Sequence, residues 1–507
     1  MADKVDGLID YQFARYQSGG NRWSWESEIE YMKEFLRNRP DYYLAQVYSY
    51  TGYDESDLAA GADKKLSLSF DESIVSVTVN GEIVKNGQTI ETGKENGTVK
   101  IEATPVAGYT AAKIVYADST GNIVSADGAC AEFDINASGD IAVHVKKSNP
   151  EKVLDVSVGI DAGMYSMLYV DSGGDLYAWG DNTGNALGAG IGAAHLTKPT
   201  FVMGNVSKAA TSRGIDAAQP NNFSTAVLTV EGELYTVGDN SYGQLGRTGE
   251  ENVLLKVDFD GVITDVALGL DHMLVLDADG VLWGVGNNSY GQLGERNYGG
   301  TASSFQKLAD NVAKIAAGRR STFYTDYDGN LYALGDNRWN KVHTGSVGDM
   351  VTPYLVTEDV RNVFGGEHQA LILKNDGTLY YVGWRRFDSF EQTESQPDCP
   401  NGVLYKVCEN VTDAEIQDSH IVALLEDGSV FGYGLNTYGQ IKPGGQGSVV
   451  GSAEKITDGA VSVAAGSGFT AVLKRDGGIV TFGSNNAGQA GNGQMSQNAD
   501  GATAIFD

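Results

Sequence analysis

Arginine and tryptophan recur in the middle of the chain, and these residue types suit recognition of another protein. A guanidinium group pairs with a carboxylate through two parallel hydrogen bonds, and arginine and tryptophan dominate the binding energy of many protein interfaces. We predict that seven such residues share one binding face: Arg319, Arg320, Arg338, Trp339, Trp384, Arg385 and Arg386. The alternative is that Trp339 and Trp384 only fill loops that have lost their glycines.

Histidines give a weaker signal for a metal site. Three of the six histidines are assigned to one equivalent position of an internal repeat: His272, His368 and His420. A shared metal would explain such a set, but other repeats fill the position with Ser224, Ser321 and Phe469. We therefore predict a structural role for each histidine and no metal site.

Motifs for catalysis are not recognisable in the sequence. Asp277-x-Asp279-Gly280 has the first residues of a calcium-binding loop, but neither the later carboxylates nor a glutamate at the twelfth position follows. The sequence also has no Gly-x-Ser-x-Gly turn, no His-Glu-x-x-His motif and no phosphate-binding loop. We predict no catalytic residue, no cofactor and a protein that is not an enzyme.

The charge balance excludes one large class of partners. The 507 residues include 36 Lys and Arg against 66 Asp and Glu, which gives a formal net charge of -30. Binding of nucleic acid needs a basic footprint, so we predict no nucleic-acid partner. No stretch approaches the roughly 20 apolar residues of a membrane span, so we predict no membrane insertion.

Cysteine content and the N-terminus bear on the compartment. Cys130, Cys399 and Cys408 are too few for a disulfide scaffold, which favours free thiols. Cys399 and Cys408 are close enough in sequence to close a small loop, so whether they are bonded stays open. The N-terminus has no apolar signal-peptide core, which leaves the cytoplasm as the alternative to the extracellular or surface location expected below.

The elements that must position these residues come from an internal repeat. Glycines that close a core strand recur 48 to 58 residues apart, at Gly180, Gly238, Gly286, Gly335, Gly383, Gly434 and Gly483. A turn glycine lies six residues earlier each time, at Gly174, Gly232, Gly280, Gly329, Gly377, Gly428 and Gly477. A period near 50 residues is typical of propellers and related arrays.

The strands of each repeat predict how the repeats pack. A tight Asp-Gly turn separates an apolar run such as Met273–Leu276 from a second strand such as Val281–Val285. Such strands are buried on both faces, and only a closed ring of sheets covers them all and leaves no edge. In an up-and-down sheet the loops after strands 1 and 3 share one end, which places the seven predicted binding residues opposite the Asp-Gly turns.

The repeat resembles a known family. Gly-Asp-Asn-Ser-Tyr-Gly-Gln-Leu-Gly at 238–246 and its counterpart at 286–294 resemble the regulator of chromosome condensation repeat, and the likeness covers residues 153–507. The resemblance implies a seven-bladed β-propeller. Three repeats depart from the pattern, at residues 182–188, 337–340 and 383–386. We expect Thr503–Phe506 to complete the ring as a strand beside Val153–Val158.

Two further resemblances concern the residues before the repeats. Residues 64–148 resemble an immunoglobulin-like or internalin-type B repeat of bacterial surface proteins through Val77–Gly81 and Ala103–Tyr109, which implies a small β-sandwich-like spacer domain. Residues 1–58 are predicted to be helical. Within them, residues 21–39 resemble the C-terminal end of spore-coat protein H kinase-like domains, which implies the remnant of a larger upstream domain. An ordinary helical hairpin is the alternative.

The expected fold is therefore mainly β, with a helical segment, a spacer domain and a propeller over 153–507. We expect a non-catalytic protein-binding module of a bacterial surface or secreted multidomain protein, present as a monomer or as part of a larger chain. The alternatives are a targeting region of a spore-coat protein H-like kinase polypeptide and a soluble inhibitor similar to β-lactamase-inhibitory propellers. The family's guanine-nucleotide exchange is not expected, because its basic chromatin-binding features are missing.

Overall fold

A computed structural model of the full chain describes residues 64–93, 97–213, 223–342, 348–383, 404–417, 420–444 and 447–506. The predicted helical segment, Trp384, Arg385, Arg386 and Cys399 lie outside these residues. Almost all regular structure in these ranges is β-strand, and the only helix there is one 3-10 turn at Thr183–Asn185. No helix in them is long and apolar enough to cross a membrane. Leu66–Ile90 and Thr98–Asp507 belong to one compact unit.

The first nine strands form two sheets around one core. They are β1 Lys65–Ser69, β2 Val75–Val79, β3 Glu82–Val84, β4 Thr89–Glu91, β5 Gly97–Pro105, β6 Tyr109–Asp118, β7 Ile123–Asp127, β8 Cys130–Ile135 and β9 Gly139–Lys147. The strand orders are β4-β1-β9-β6-β7 and β3-β2-β5-β8. Alternate residues such as Val77, Ile101 and Ile141 are buried in the shared core, as the period of two predicts. Asn80-Gly81 is a dipeptide typical of two-residue hairpin turns, and both residues have positive φ.

The later strands form consecutive antiparallel sheets of four, and seven are present in the described residues. Sheets 1 to 3 comprise β10 Gly159–Ala162, β11 Ser166–Val170, β12 Leu176–Asp181, β13 His195–Met203; β14 Val206–Thr211, β15 Ser224–Thr229, β16 Leu234–Gly238, β17 Leu255–Lys256; β18 Ile263–Leu268, β19 His272–Asp277, β20 Leu282–Asn287, β21 Thr301–Ala309. Sheets 4 and 5 comprise β22 Val312–Gly318, β23 Ser321–Asp326, β24 Leu331–Gly335, β25 Met350–Thr357; β26 Val360–Gly365, β27 Gln369–Lys374, β28 Leu379–Gly383, β29 Tyr405–Cys408. Sheets 6 and 7 comprise β30 Val411–Gln417, β31 His420–Leu425, β32 Val430–Asn436, β33 Ser448–Thr457; β34 Ala460–Gly466, β35 Phe469–Lys474, β36 Ile479–Asn485, β37 Ser496–Thr503.

Burial explains why the second strand of each sheet is so apolar. Met273, Leu274 and Val275 of β19 are all fully buried, because successive side chains face the two neighbouring sheets in turn. The turn that follows is held by Asp277, whose carboxylate accepts hydrogen bonds from the backbone N–H groups of Asp279 and Val281. The prediction of strands buried on both faces is confirmed.

The first and last sheets meet and close the ring. The indole Nε1–H of Trp179 in sheet 1 donates to the backbone oxygen of Gln489, in the loop between β36 and β37 of sheet 7, at 2.8 Å. The backbone N–H of Ser467 donates to the oxygen of Met164, at 2.9 Å. One buried cluster contains Trp179 together with Phe469 and Ile479. The predicted propeller architecture is therefore present.

The expected closing strand at the C-terminus is wrong. Sheet 7 takes its fourth strand from Ser496–Thr503, and residues 153–158 form no strand. Because consecutive segments already supply all four strands of sheets 1 and 7, neither sheet needs a strand from the other end of the repeat region. Phe506 instead packs its ring against Tyr169, Tyr177 and Trp179 of sheet 1.

Charged side chains join the two-sheet region to the propeller. Lys146 Nζ lies 2.7 Å from a carboxylate oxygen of Asp175, and Lys147 pairs with Glu231. His144 packs edge-on against Phe201, with ring centroids 5.2 Å apart. Burial lowers the pKa of His144 to about 4, so this ring is neutral at physiological pH. The contact therefore combines a neutral apolar centre with ion pairs.

Candidate protein-binding face

The loops after strands 1 and 3 of each sheet lie together at one end of the ring, which we call the loop face. In sheet 3 the Asn287 amide donates to the carboxylate of Asp271, at 2.8 Å, and thereby joins its two loops. Neighbouring sheets are joined in the same layer, since the backbone N–H of Leu270 donates to the oxygen of Arg319, at 2.9 Å. The Asp-Gly turns lie at the opposite end, which we call the turn face.

In six of the seven sheets in the described part of the chain, an asparagine shapes the long loop between strands 3 and 4. In sheet 3 the Asn288 side-chain oxygen accepts the N–H of Leu293 at 2.8 Å, and its amide donates to the oxygens of Gly294 and Arg296. The same side-chain acceptor recurs in five other sheets, at Asn182, Asn240, Asn337, Asn436 and Asn485. Asparagine suits this position because its amide can both accept and donate hydrogen bonds.

Lys341 occupies the position that a glutamine fills in other loops. In sheet 3 the side-chain oxygen of Gln292 accepts the N–H of Tyr290, at 2.9 Å. Lys341 is fully buried, and its Nζ lies 3.3 Å from the backbone oxygen of Glu367. Burial lowers the pKa of Lys341 to about 8. The negative charge of Asp336 opposes this shift, and the nearby guanidinium groups add to it. Alignment of the loops on Asn337 would have revealed this residue.

Arg338 is held in place by a bidentate ion pair. Its Nε and one terminal nitrogen donate to the two carboxylate oxygens of Asp336, at 2.8 and 2.7 Å. Burial disfavours the Asp336 carboxylate, but the hydrogen bonds from Arg338 and the charge of Lys341 lower its pKa to about 2. The Arg338 side chain is 47% exposed, so a fixed guanidinium is presented at the surface.

Arg320 shares the ring of Tyr290 with Arg338. The guanidinium carbons of Arg320 and Arg338 lie 4.5 and 4.9 Å from the centroid of this ring, within the range of cation–π attraction. Arg320 forms no salt bridge within the described ranges, and its buried Nε has no hydrogen-bond partner there. Its guanidinium is therefore positioned by an aromatic face alone.

Arg319 and Trp339 complete the described part of the predicted face. Arg319 is largely buried and pairs with Glu367, while the ring of Trp339 lies 5.6 Å from that of His368. The structure thus brings Arg319, Arg320, Arg338 and Trp339 together on the loop face. Arg319 lies in the interior of this cluster, where it pairs with Glu367. Sequence reasoning missed Tyr290, which stands in an ordinary repeat motif.

The assignment of three histidines to one repeat position is wrong for His368. His272 and His420 pair with Gly286 and Gly434, but Gln369 takes the corresponding place opposite Gly383. His368 lies in the loop before the strand, because it stands nine residues before its turn glycine, Gly377, whereas His272 and His420 stand eight residues before theirs. In the described ranges no cluster of three or more His, Cys, Asp or Glu side chains could hold a metal.

The inner strands enclose an axial channel that the sequence did not indicate. This cavity of about 640 Å³ is lined by the first strand of every sheet. Arg213 crosses it and pairs with Glu415, at 2.6 Å, and with Asp161, at 3.1 Å. Burial and the nearby Glu415 raise the pKa of Asp413 to about 7. Arg213 follows β14 of sheet 2, so its pair with Glu415 joins sheets 2 and 6, far apart around the ring, whereas its pair with Asp161 joins the neighbouring sheets 1 and 2.

Comparisons with known proteins identify the repeat. Models of the regulator of chromosome condensation (RCC1) repeat match residues 231–276, 263–292, 418–440 and 460–489. The chain is 28% identical over 302 residues to the ultraviolet-B receptor UVR8 of Arabidopsis thaliana, a match that covers 57% of this chain and 67% of UVR8. It is 25% identical over 291 residues to the E3 ubiquitin-protein ligase HERC2 of Homo sapiens, a match that covers 55% of this chain and only 5% of HERC2.

Solved structures agree on the fold. Prp20p of Saccharomyces cerevisiae, described with its binding to Gsp1p and histones, superposes with a TM-score of 0.52 at 20% identity, over 61% of this chain and 80% of that one. Human WBSCR16 gives a TM-score of 0.52 at 19% identity, over 70% of this chain and 96% of that one. The chain therefore carries RCC1 repeats, and it folds from Gly159 onward as an RCC1-type β-propeller.

Proposed function

We propose that this chain is a non-catalytic protein-binding module, and that its partner docks on the loop face around Tyr290, Arg320 and Arg338. One observation carries the proposal: two guanidinium groups share one tyrosine ring, and only one of them has a carboxylate partner in the described residues. Arginine and tyrosine are enriched in the residues that contribute most to binding. A surface that already holds such side chains in place loses little entropy on binding.

The buried charges beneath this surface support the same proposal. Asp336 and Lys341 are at most 1% exposed, and Asp336 fixes Arg338 from below. Burial of charged groups requires specific partners, so the loop cannot rearrange without breaking ion pairs. The cluster is therefore a preorganised surface.

Relatives support a protein partner in general terms. Prp20p binds Gsp1p and histones, and a second structure has yeast RCC1 (Prp20) bound to Kap60. These partners belong to that protein. For this chain the comparison supports the class of partner, while the identity of the partner depends on the side chains of its own loop face.

We further propose a bacterial surface or secreted multidomain protein as the setting. The relatives named above are eukaryotic, so this part rests on the two-sheet region that precedes the propeller. Its ion pairs from Lys146 and Lys147 to the propeller would hold the loop face in a fixed direction. An upstream coding region with a signal peptide would support this setting, and a start codon with no upstream extension would contradict it.

Capture experiments test the proposal. The full chain, immobilised and exposed to an extract of the organism that encodes it, is expected to retain a specific protein. The double variant Arg320→Gln, Trp339→Ala should lose that protein, while Tyr327→Ala should keep it. Tyr327 is a matched control because it is 67% exposed and lies on the turn face. Equal capture by all three chains would show that the loop face is not the binding surface.

A further inference from the structure

We propose that the partner presents an acidic segment, a short run of Asp or Glu, and that Arg320 anchors one of its carboxylates. This inference rests on the proposed function, because it assumes that a protein docks on the loop face. It adds the chemical class of the partner segment, which is acidic, and the residue that binds it, Arg320.

The cluster carries more positive than negative charge. Its cations are Arg319, Arg320, Arg338 and Lys341, and its carboxylates are Asp336 and Glu367. Asp336 pairs with Arg338, and Glu367 pairs with Arg319. Asp349, which accepts a hydrogen bond from Tyr298, also attracts Arg338. Among the described residues one cation thus remains in excess, within a chain whose formal net charge is -30. Charges farther than about 10 Å are largely screened at physiological salt, so these local charges determine what binds here.

Arg320 is the cation that is available to a partner. The Arg338 guanidinium already has both carboxylate oxygens of Asp336, and the Arg319 side chain is only 13% exposed. Lys341 is fully buried. Arg320 alone among the four combines partial exposure with no ion pair in the described residues.

The geometry of Arg320 suits a carboxylate. Its guanidinium carbon lies 4.5 Å from the centroid of the Tyr290 ring, within cation–π distance. The terminal N–H donors of a guanidinium can form two parallel hydrogen bonds with one carboxylate. The contact with the tyrosine ring restricts the position of the Arg320 guanidinium before the partner arrives.

A protein carboxylate fits this surface better than a nucleic acid does. Nucleic-acid binding needs a row of cations along a phosphate backbone, whereas this cluster has a local excess of one among the described residues. An acidic segment would be repelled by most of the remaining surface. Such repulsion confines it to the cluster and thereby adds specificity.

Peptide binding to the full chain tests the inference. The probe is a fluorescein-labelled peptide with five consecutive glutamates, compared by fluorescence anisotropy with the same peptide carrying five glutamines. We expect the glutamate peptide to bind at least ten-fold more tightly. Arg320→Gln should weaken its binding at least ten-fold, and Arg320→Lys should weaken it less. Lys455→Gln removes one exposed positive charge on the turn face and should leave the affinity for the glutamate peptide unchanged. Equal thermal unfolding of the variants shows that they remain folded.

Two outcomes would overturn the inference: equal affinity for both peptides, or an Arg320→Gln variant that binds the glutamate peptide like the unaltered chain. Each leaves the proposed function standing if partner capture still depends on the loop face. If the unaltered chain captures no partner but binds the glutamate peptide tightly, the proposed function is wrong and only a peptide-binding site remains.

Discussion

Single residues decide what the loop face presents, and Lys341 illustrates how. The repeat places a glutamine at this position, where it accepts a hydrogen bond, as Gln292 does from Tyr290. A lysine cannot accept that bond and brings a buried charge instead. The charge stabilises the Asp336 carboxylate, which in turn orients Arg338. A substitution in the interior thus supports the presentation of a surface arginine.

Lys341→Gln is expected to stabilise the protein at neutral pH, by roughly 1–3 kcal/mol of unfolding free energy. The folded-state pKa of Lys341 is about 8, below its ordinary value of 10.5. Below pH 8 the group is charged in both states and the full cost of burial applies. Between pH 8 and 10.5 the folded state releases the proton, so the cost declines. The advantage of the variant should therefore shrink from pH 7 to pH 10.

Urea unfolding at the two pH values measures this difference. Lys455→Gln serves as the control, since Lys455 is 48% exposed and should show no such change between pH 7 and pH 10. An advantage of Lys341→Gln that is absent at pH 7, or that grows toward pH 10, would show that the lysine is not a buried cation.

At the scale of elements, the sequence predicted strands and turns well because their causes are local. Apolar runs with turn glycines, five of which follow an aspartate, predicted the second and third strands of the sheets. In Leu66–Phe70 and Val75–Val79 apolar and polar residues alternate, a pattern that predicts strands, and the two segments match β1 and β2 to within a residue. Register at the strand ends was less accessible, since an error of one residue in the spacing put His368 in the position that Gln369 holds.

Gly286→Ala should be far more damaging than Gly477→Ala. Both glycines have positive φ, at +109° and +88°, which costs a residue with a side chain about 1–2 kcal/mol. A Cβ on Gly286 would lie 2.6 Å from the backbone oxygen of Asp271, whereas one on Gly477 would meet nothing within 4 Å. We expect a loss of about 3–5 kcal/mol for Gly286→Ala.

Thermal unfolding compares the two alanine variants directly. A similar loss of stability in both would mean that positive φ alone, and not the close approach of the two strands, requires glycine where the core strand ends.

At the scale of the whole molecule, the propeller could be predicted because seven similar units have one way to cover their faces. Two features depended on contacts between distant residues and had no local signal. The ring closes without exchange of a strand, and Arg213 joins Glu415 and Asp161 across the channel. The arginines and Trp339 were predicted as a set, but Tyr290 between them was not, because its motif is common to other loops.

Trp179→Phe tests the closure of the ring. The variant keeps an aromatic ring but leaves the buried oxygen of Gln489 without its donor, which costs about 1–3 kcal/mol. Hydrogen exchange should increase in both sheet 1 and sheet 7. In the control Trp283→Phe, the lost bond to Asp277 lies within sheet 3, so exchange should increase there alone. Exchange confined to sheet 1 in Trp179→Phe would contradict coupling through the closed ring.

Site-specific photo-crosslinking tests the central claim most directly. A benzophenone amino acid is placed at Tyr290 on the loop face or at Tyr327 on the turn face, and each full chain is irradiated in an extract of the organism that encodes it. The account predicts a discrete adduct with one protein from position 290 and none from position 327. An adduct from position 327 alone would contradict the assignment of the loop face as the partner-binding surface.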